Sequence, residues 1–149
     1  WPQFYWLALE EILHEAGLQT IIVGALRTKN PQRTDCFKSA MAIHSAEKPI
    51  PPETIAGILN NAACVVSSDS GLAHLAAIMG KKTVVLCGWS VGDRIYGFYP
   101  QVTCLQGCLP CNGCWSRASQ GFDEDRCARG CDNLATILPK HVAEVVGKL

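Results

Sequence analysis

Two groups of residues have the types and spacing to do chemistry. The first is Asp69-Ser70-Gly71-Leu72-Ala73-His74, which follows the apolar run Ala63-Cys64-Val65-Val66-Ser67. The run reads as a strand, and Leu72–Met79, closed by Gly80, reads as the helix after it. In an open α/β sheet, that handover from strand to helix is where ligands bind. The first helical turn offers unpaired backbone N–H groups and the positive end of the helix dipole, and both favour a diphosphate. Gly71 has no Cβ to hold phosphate oxygens off the backbone. Ser70 and His74, four residues apart, share one side of a helix starting here. Asp69 is placed to accept hydrogen bonds from sugar hydroxyls. An Asp or Ser before a helix is equally a common N-cap, which stabilises the helix by about 1 kcal/mol and needs no ligand.

The second group is the cysteines. Of nine, Cys36, Cys64 and Cys87 are scattered, and Cys64 and Cys87 lie in apolar runs where a buried thiol is ordinary. The other six, Cys104, Cys108, Cys111, Cys114, Cys127 and Cys131, fall within 28 residues. An odd total in two zones argues against a secreted disulfide scaffold and for a local site. Cys111-Asn112-Gly113-Cys114 is a C-x2-C knuckle, and Cys127 and Cys131 form a second pair after twelve residues. Two short loops with two thiolates each suit a tetrahedral site for zinc or iron. Cys108-Leu109-Pro110-Cys111 is an overlapping C-x2-C, and disulfides or free thiols are the alternative to a metal.

The elements that must position these groups follow from periodicity. Residues 3–16 set Trp6, Leu9, Leu13 and Ala16 on one helix side, with Gly17 as a stop. Thr20–Val23 reads as a strand closed by Gly24, residues 25–40 as a polar loop, and Met41–His44 as a second short strand. Pro49, Pro51 and Pro52 precede a helix carrying Ile55, Ile58, Leu59 and Ala62 on one face. Lys82–Cys87 is another strand, rich in β-branched residues. Residues 88–133 read as irregular, and Pro139 opens a last helix with Val142, Val145, Val146 and Leu149 on one face. Strands alternating with helices at this interval imply βαβ crossovers and a parallel sheet.

Composition excludes several classes. The 149 residues carry 13 basic and 13 acidic side chains with no basic run, so no nucleic-acid surface is expected. No apolar stretch reaches the roughly 20 residues of a membrane span, and the first residues do not form a signal peptide. Trp1-Pro2 leads straight into a helical pattern, which reads as a cut inside a longer protein. With neither G-x-G-x-x-G nor G-x-x-x-x-G-K-[ST], a nicotinamide enzyme or a P-loop NTPase is not expected. His14, His44 and His141 read as isolated surface residues, and Trp89, Tyr96, Phe98 and Tyr99 as loop aromatics. Trp89 either packs or stacks on a ligand.

Ser67-Ser68-Asp69-Ser70-Gly71-Leu72-Ala73-His74-Leu75-Ala76-Ala77, followed by Lys82–Gly88, resembles the signature of glycosyltransferase family 9, the heptosyltransferases. Trp1-Pro2, the strand into Gly24, and Cys131, Ile137, Pro139 and Val142 extend the resemblance over most of the chain. It implies the GT-B architecture of two Rossmann-like domains facing across a cleft. The C-terminal one holds a nucleotide-sugar, typically ADP-heptose. Ser70 and Gly71 would then bind the diphosphate through their amides, Asp69 the sugar hydroxyls, and His74 would stand near the phosphates. The family's general base is a carboxylate on the N-terminal, acceptor-binding domain. No catalytic residue is therefore expected in this chain, which on its own would bind donor without turning it over. The family's acidic ribose contact has no counterpart in Ala25–Asn30. Cys111–Trp115 with Phe122-Asp123, Cys127 and Cys131 is similar to the autotransporter heptosyltransferase branch, which carries an iron-binding four-cysteine finger, glycosylates protein and forms large oligomers.

The expected fold is therefore α/β: a Rossmann-like parallel sheet with helices on both faces, the C-terminal half of a GT-B fold, plus a cysteine-rich finger. Residues 1–103 would form the nucleotide-sugar-binding core, 104–133 the finger, and 134–149 a helix packing on the core. The expected activity is transfer of a sugar from a nucleotide-diphosphate donor to a hydroxyl, on lipopolysaccharide core or protein, in the bacterial cytoplasm or at the inner face of its membrane. A homo-oligomer is an expected partner state. The rival readings are a non-catalytic nucleotide-binding or assembly module with a structural metal finger, and an extracellular disulfide-stapled domain.

Overall fold

A computed structural model of the chain describes residues 1–24, 41–44, 50–114 and 132–149. The order is α1 (Gln3–Glu15), β1 (Ile21–Gly24), β2 (Met41–His44), α2 (Pro52–Asn61), β3 (Val65–Ser68), α3 (Gly71–Ile78), β4 (Thr83–Cys87), α4 (Gly92–Tyr96), β5 (Val102–Gln106), a 3-10 turn at Leu134–Thr136, and α5 (Pro139–Val146). β1 and β2 pair in parallel. β3, β4 and β5 form a parallel sheet with β4 in the middle, Val65 facing Thr83 and Thr83 facing Val102. The parallel α/β expectation is met.

β4 explains how the sheet is covered. All five of its residues are buried, as expected for a strand flanked by partners and covered on both faces. Successive side chains alternate between faces. Val84 and Leu86 pack on one side with Leu9 of α1, Val142 of α5, Leu105 and Ile137. Val85 and Cys87 pack on the other with Ala73 and Ala77 of α3 and Tyr96 of α4. Alanines on the buried side of α3 let that helix lie close to the sheet. Trp1 joins the first cluster and donates from Nε1 to the Ile137 carbonyl at 2.8 Å, tying the start of α1 to the turn before α5.

The stretch after β4 differs from its irregular reading. It holds a helical turn, α4, and a strand, β5, so the sheet continues through Cys104 to Gln106. The segment expected to begin the finger at residue 104 thus begins within the core. β5 alternates, with Leu105 in one core cluster and Val102 and Cys104 against the other. That period was masked by the surrounding glycines and cysteines. α4 starts at Gly92 because nothing larger fits: a Cβ there would lie 2.6 Å from Cys104 Cβ and 3.0 Å from Cys87 Sγ. The expected loop at 25–40 lies outside the described residues.

Candidate functional site

β3 ends at Ser68, and α3 begins three residues later, at the carboxyl edge of the parallel sheet. The Asp69 N–H donates to the Leu86 carbonyl at 3.3 Å, which continues the β3–β4 ladder up to the turn. Ser70 is extended (φ −160, ψ 169) and occupies the N-cap position, yet its side chain makes no cap hydrogen bond. The simple capping role therefore does not account for it. Ser67 Oγ donates to the Ser68 carbonyl at 2.8 Å, and Ser70 Oγ lies 3.1 Å from Ser67 Oγ. A hydroxyl carries one proton. With the Ser67 proton committed to a carbonyl, the Ser70 hydroxyl is the donor between the two serines. The Ser70 hydroxyl proton is thus taken up within the turn.

The first intrahelical bond of α3 runs from the His74 N–H to the Ser70 carbonyl, at 3.2 Å. The amides of Gly71, Leu72 and Ala73 precede it and have no partner among the described residues. These orphan donors, at the positive end of the helix, are the groups that bind anions. A Cβ built on Gly71 meets nothing within 4 Å, so the mouth of the helix is open. At its far end, Gly80 takes φ +71 to turn the chain towards β4.

Asp69 and His74 come together with Tyr96, which the reading of the sequence left among loop aromatics. Tyr96 is fully buried at the end of α4 and donates its hydroxyl to Asp69 Oδ1 at 2.7 Å. Its ring stacks on the His74 imidazole, with centroids 4.8 Å apart and planes at 25°. His74 Nε2 stands 3.8 Å from the same Asp69 oxygen, beyond hydrogen-bonding distance. Burial, then the hydrogen bond to Asp69 and its negative charge, push the Tyr96 phenol above its ordinary range, so it remains a donor. The available signal was its place: a strand end, a glycine, and an aromatic four residues on.

Behind this edge lies a polar clasp. Gln106 Oε1 accepts from the Gly92 N–H at 2.9 Å, while its Nε2 donates to the Cys87 and Ser90 carbonyls, each at 2.9 Å, and to Asn112 Oδ1. Asn133, 1% exposed, donates to the Gly88 carbonyl at 2.8 Å and to Asn112 Oδ1 at 3.3 Å, and accepts from the Leu109 N–H at 2.8 Å. Asn112 belongs to the Cys111–Cys114 knuckle, and Gly113 takes φ +70 between its cysteines. Cys108 and Cys111 are exposed free thiols, and Cys114 is half-buried. Cys127 and Cys131 lie outside the described residues. Among the described residues no three potential ligands converge on a metal position.

Other candidates are peripheral. His141 faces Glu144 across 3.9 Å on the surface of α5, and Trp89 is 43% exposed. Asp93 and Arg94 sit in α4 rather than in a loop. Cys87, hydrogen-bonded with Cys104 and buried, is held above the ordinary thiol range and stays protonated. No described helix is long and apolar enough to cross a membrane.

A parallel sheet with helices on both faces, and a bare helix N-terminus at its carboxyl edge, define a Rossmann-like α/β protein. The chain belongs to glycosyltransferase family 9 (heptosyltransferase), which matches residues 1–121. Its fold resembles the GT-B heptosyltransferase described as E. coli ADP-heptose lps heptosyltransferase II, with a TM-score of 0.71 at 16% sequence identity. The match takes in 99% of this chain and 41% of the E. coli protein, so the chain spans less than half of that protein's length. No curated protein matches the sequence. Glycosyl transfer is the general activity of the family.

Proposed function

We propose that the chain is the C-terminal, donor-binding half of a glycosyltransferase that moves a sugar, heptose in this reading, from a nucleotide-diphosphate donor such as ADP-heptose to a hydroxyl acceptor. The observation that carries the reading is the uncapped first turn of α3, with three amides free among the described residues and Asp69 beside them. The diphosphate lies across the amides of Ser70 and Gly71, where the helix dipole stabilises its charge. As the glycosidic bond to the phosphate breaks, negative charge grows on the leaving diphosphate, and preorganised amides lower that barrier. Asp69 accepts from sugar hydroxyls, and His74 stands near the phosphates. The base that deprotonates the acceptor comes from an N-terminal, acceptor-binding domain, and lipopolysaccharide core or protein supplies the hydroxyl. The setting is the bacterial cytoplasm or the inner face of its membrane.

The cysteine finger belongs to the same proposal. Cys111 and Cys114 are free thiols on one turn, reversed by a left-handed glycine, and fit half of a four-sulfur site. Cys127 and Cys131 complete the set for iron or zinc. The metal would crosslink a loop poor in apolar residues and steady a contact surface for a homo-oligomer.

Isothermal titration of the chain with ADP and with ADP-heptose tests the donor site. One saturable site per chain is expected for each, and absence of both isotherms rejects the reading in favour of a non-binding assembly module. Metal analysis with thiol counting tests the finger. One iron or zinc per chain is expected, while oxidised cysteine pairs without metal reject it.

A further inference from the structure

Asp69 has two carboxylate oxygens, and the structure treats them differently. Oδ1 receives the Tyr96 hydroxyl at 2.7 Å and faces His74 Nε2 at 3.8 Å. Oδ2 has no hydrogen-bond partner among the described residues, and it is not among their sealed, unsatisfied polar atoms. The carboxylate is thus pinned by one oxygen and offers the other to the site.

We propose that Tyr96 is a positioning residue for donor recognition: by occupying Asp69 Oδ1 it fixes the carboxylate plane and aims Oδ2 at a hydroxyl of the donor sugar. The inference rests on the donor-binding reading and adds to it the residue that sets the geometry of its sugar contact. Tyr96 is fully buried, so it acts through Asp69 and does not touch the donor.

Three observations make the phenol a rigid anchor. The start of α4 lies hard against the sheet, where a Cβ on Gly92 would come within 2.6 Å of Cys104 Cβ and 3.0 Å of Cys87 Sγ. The Gly92 N–H is held by Gln106 Oε1 at 2.9 Å, which fixes the start of α4 to the end of β5. At the other end the Gly97 N–H donates to the Asp93 carbonyl at 3.0 Å, and the Tyr96 ring is clamped between the sheet cluster and His74. A phenol-to-carboxylate bond is charge-assisted and strongly directional. Without it the Asp69 side chain regains rotamer freedom, which must be surrendered again on binding. An acceptor-only oxygen takes a hydrogen bond from a donor group. On the donor-binding reading, that group is a hydroxyl of the sugar attached to the diphosphate.

Titration of wild type, Tyr96→Phe, Asp69→Ala, Asp69→Asn and the Tyr96→Phe/Asp69→Ala double variant with ADP and ADP-heptose tests the assignment, with circular dichroism to confirm folding. Tyr96→Phe should weaken ADP-heptose about fivefold and leave ADP within about twofold. In the Asp69→Ala background the same change should add less than about twofold, because Tyr96 then has no carboxylate to aim. Asp69→Asn keeps an acceptor for Tyr96 and so remains folded. It should still lose ADP-heptose affinity about fivefold or more, since an amide cannot offer the acceptor pattern of a carboxylate. Equal weakening of ADP and ADP-heptose by Tyr96→Phe overturns the proposal, as does an undiminished effect in the double variant or wild-type sugar binding by Asp69→Asn. If the wild-type chain binds neither ligand, the donor-site reading has failed. If it binds both and Tyr96→Phe is indistinguishable from it, only the role of Tyr96 has failed.

Discussion

Two polar regions lie at the carboxyl edge of the same sheet and are built on opposite principles. At the start of α3 the amides of Gly71, Leu72 and Ala73 have no partner among the described residues, Ser70 leaves its cap role unfilled, and Asp69 keeps one oxygen open. Behind it, Gln106, Asn112 and Asn133 satisfy one another and the carbonyls of Cys87, Gly88 and Ser90. Groups left open to solvent exchange their water for a ligand at little cost, whereas a saturated buried network gives rigidity. On the proposed function the difference separates binding from support: side chains of similar polarity would serve the ligand in one place and the fold in the other. The clasp also supports the site, because Gln106 holds the first residue of α4, and Tyr96 at its end holds Asp69.

The sharpest way to break this contrast is Asn133→Ala. The side chain is 1% exposed and bonds Gly88, Leu109 and Asn112. Its loss should destabilise the chain by about 3 kcal/mol, from polar groups left buried and unpaired. Thermal denaturation should show a fall of roughly 9 °C for a chain of this size. A change below about 1 kcal/mol would mean that water replaces the amide and the clasp is not structural. Asp69→Ala should behave in the reverse sense. It leaves the Tyr96 hydroxyl without its acceptor, for a stability loss of about 1 kcal/mol, but lowers ADP-heptose affinity about tenfold. If stability and affinity fall together in both variants, the two regions do not differ as described.

A smaller effect concerns alkaline pH. Tyr96 has a folded-state value raised above its ordinary 10.0 by burial and the bond to Asp69. The folded chain holds this proton where the unfolded chain releases it. The resulting stability is fully present below pH 10 and is lost as pH rises past 10 towards the folded-state value. The bond between Cys87 and Cys104 raises one thiol and lowers the other, so its two contributions oppose each other. Urea midpoints should therefore decline above pH 10, and Tyr96→Phe should flatten that decline. A flat profile through pH 10 and above would show that the Tyr96 proton is not retained.

Much of the binding edge could be read from the sequence, because local rules create it. A β-branched apolar run, a serine-aspartate-glycine turn and an alanine-rich helix suit βαβ geometry, and Asp69–His74 lies where a helix start bares its amides at the sheet's carboxyl edge. The clasp could not be read. Gln106, Asn112 and Asn133 are ordinary polar residues up to 27 positions apart, and their meaning arises only when β5 and the chain before α5 come together. β5 went unseen because five residues, one of them glutamine, give too short an alternation beside so many cysteines. Tyr96 was legible as an aromatic but not as a partner of Asp69, since its 2.7 Å contact spans 27 residues and depends on how α4 lies on the sheet. Long-range polar pairing has no sequence period, and that is the physical reason these parts were missed.

The smallest predicted effect probes the open region directly. Gly71 starts α3 without a positive φ, and a methyl group there would touch nothing within 4 Å. Gly71→Ala should therefore fold without strain and gain about 0.5 kcal/mol, because alanine has fewer unfolded conformations to lose. Binding should move the other way. If phosphate oxygens rest against the amides of Ser70 and Gly71, the added methyl holds them off and weakens ADP about threefold. A variant that is more stable yet binds more weakly requires a position shaped for a ligand and not for the fold. Unchanged ADP affinity would place the phosphates away from residue 71, and the contrast between an open edge and a closed clasp would then rest on Asp69 alone.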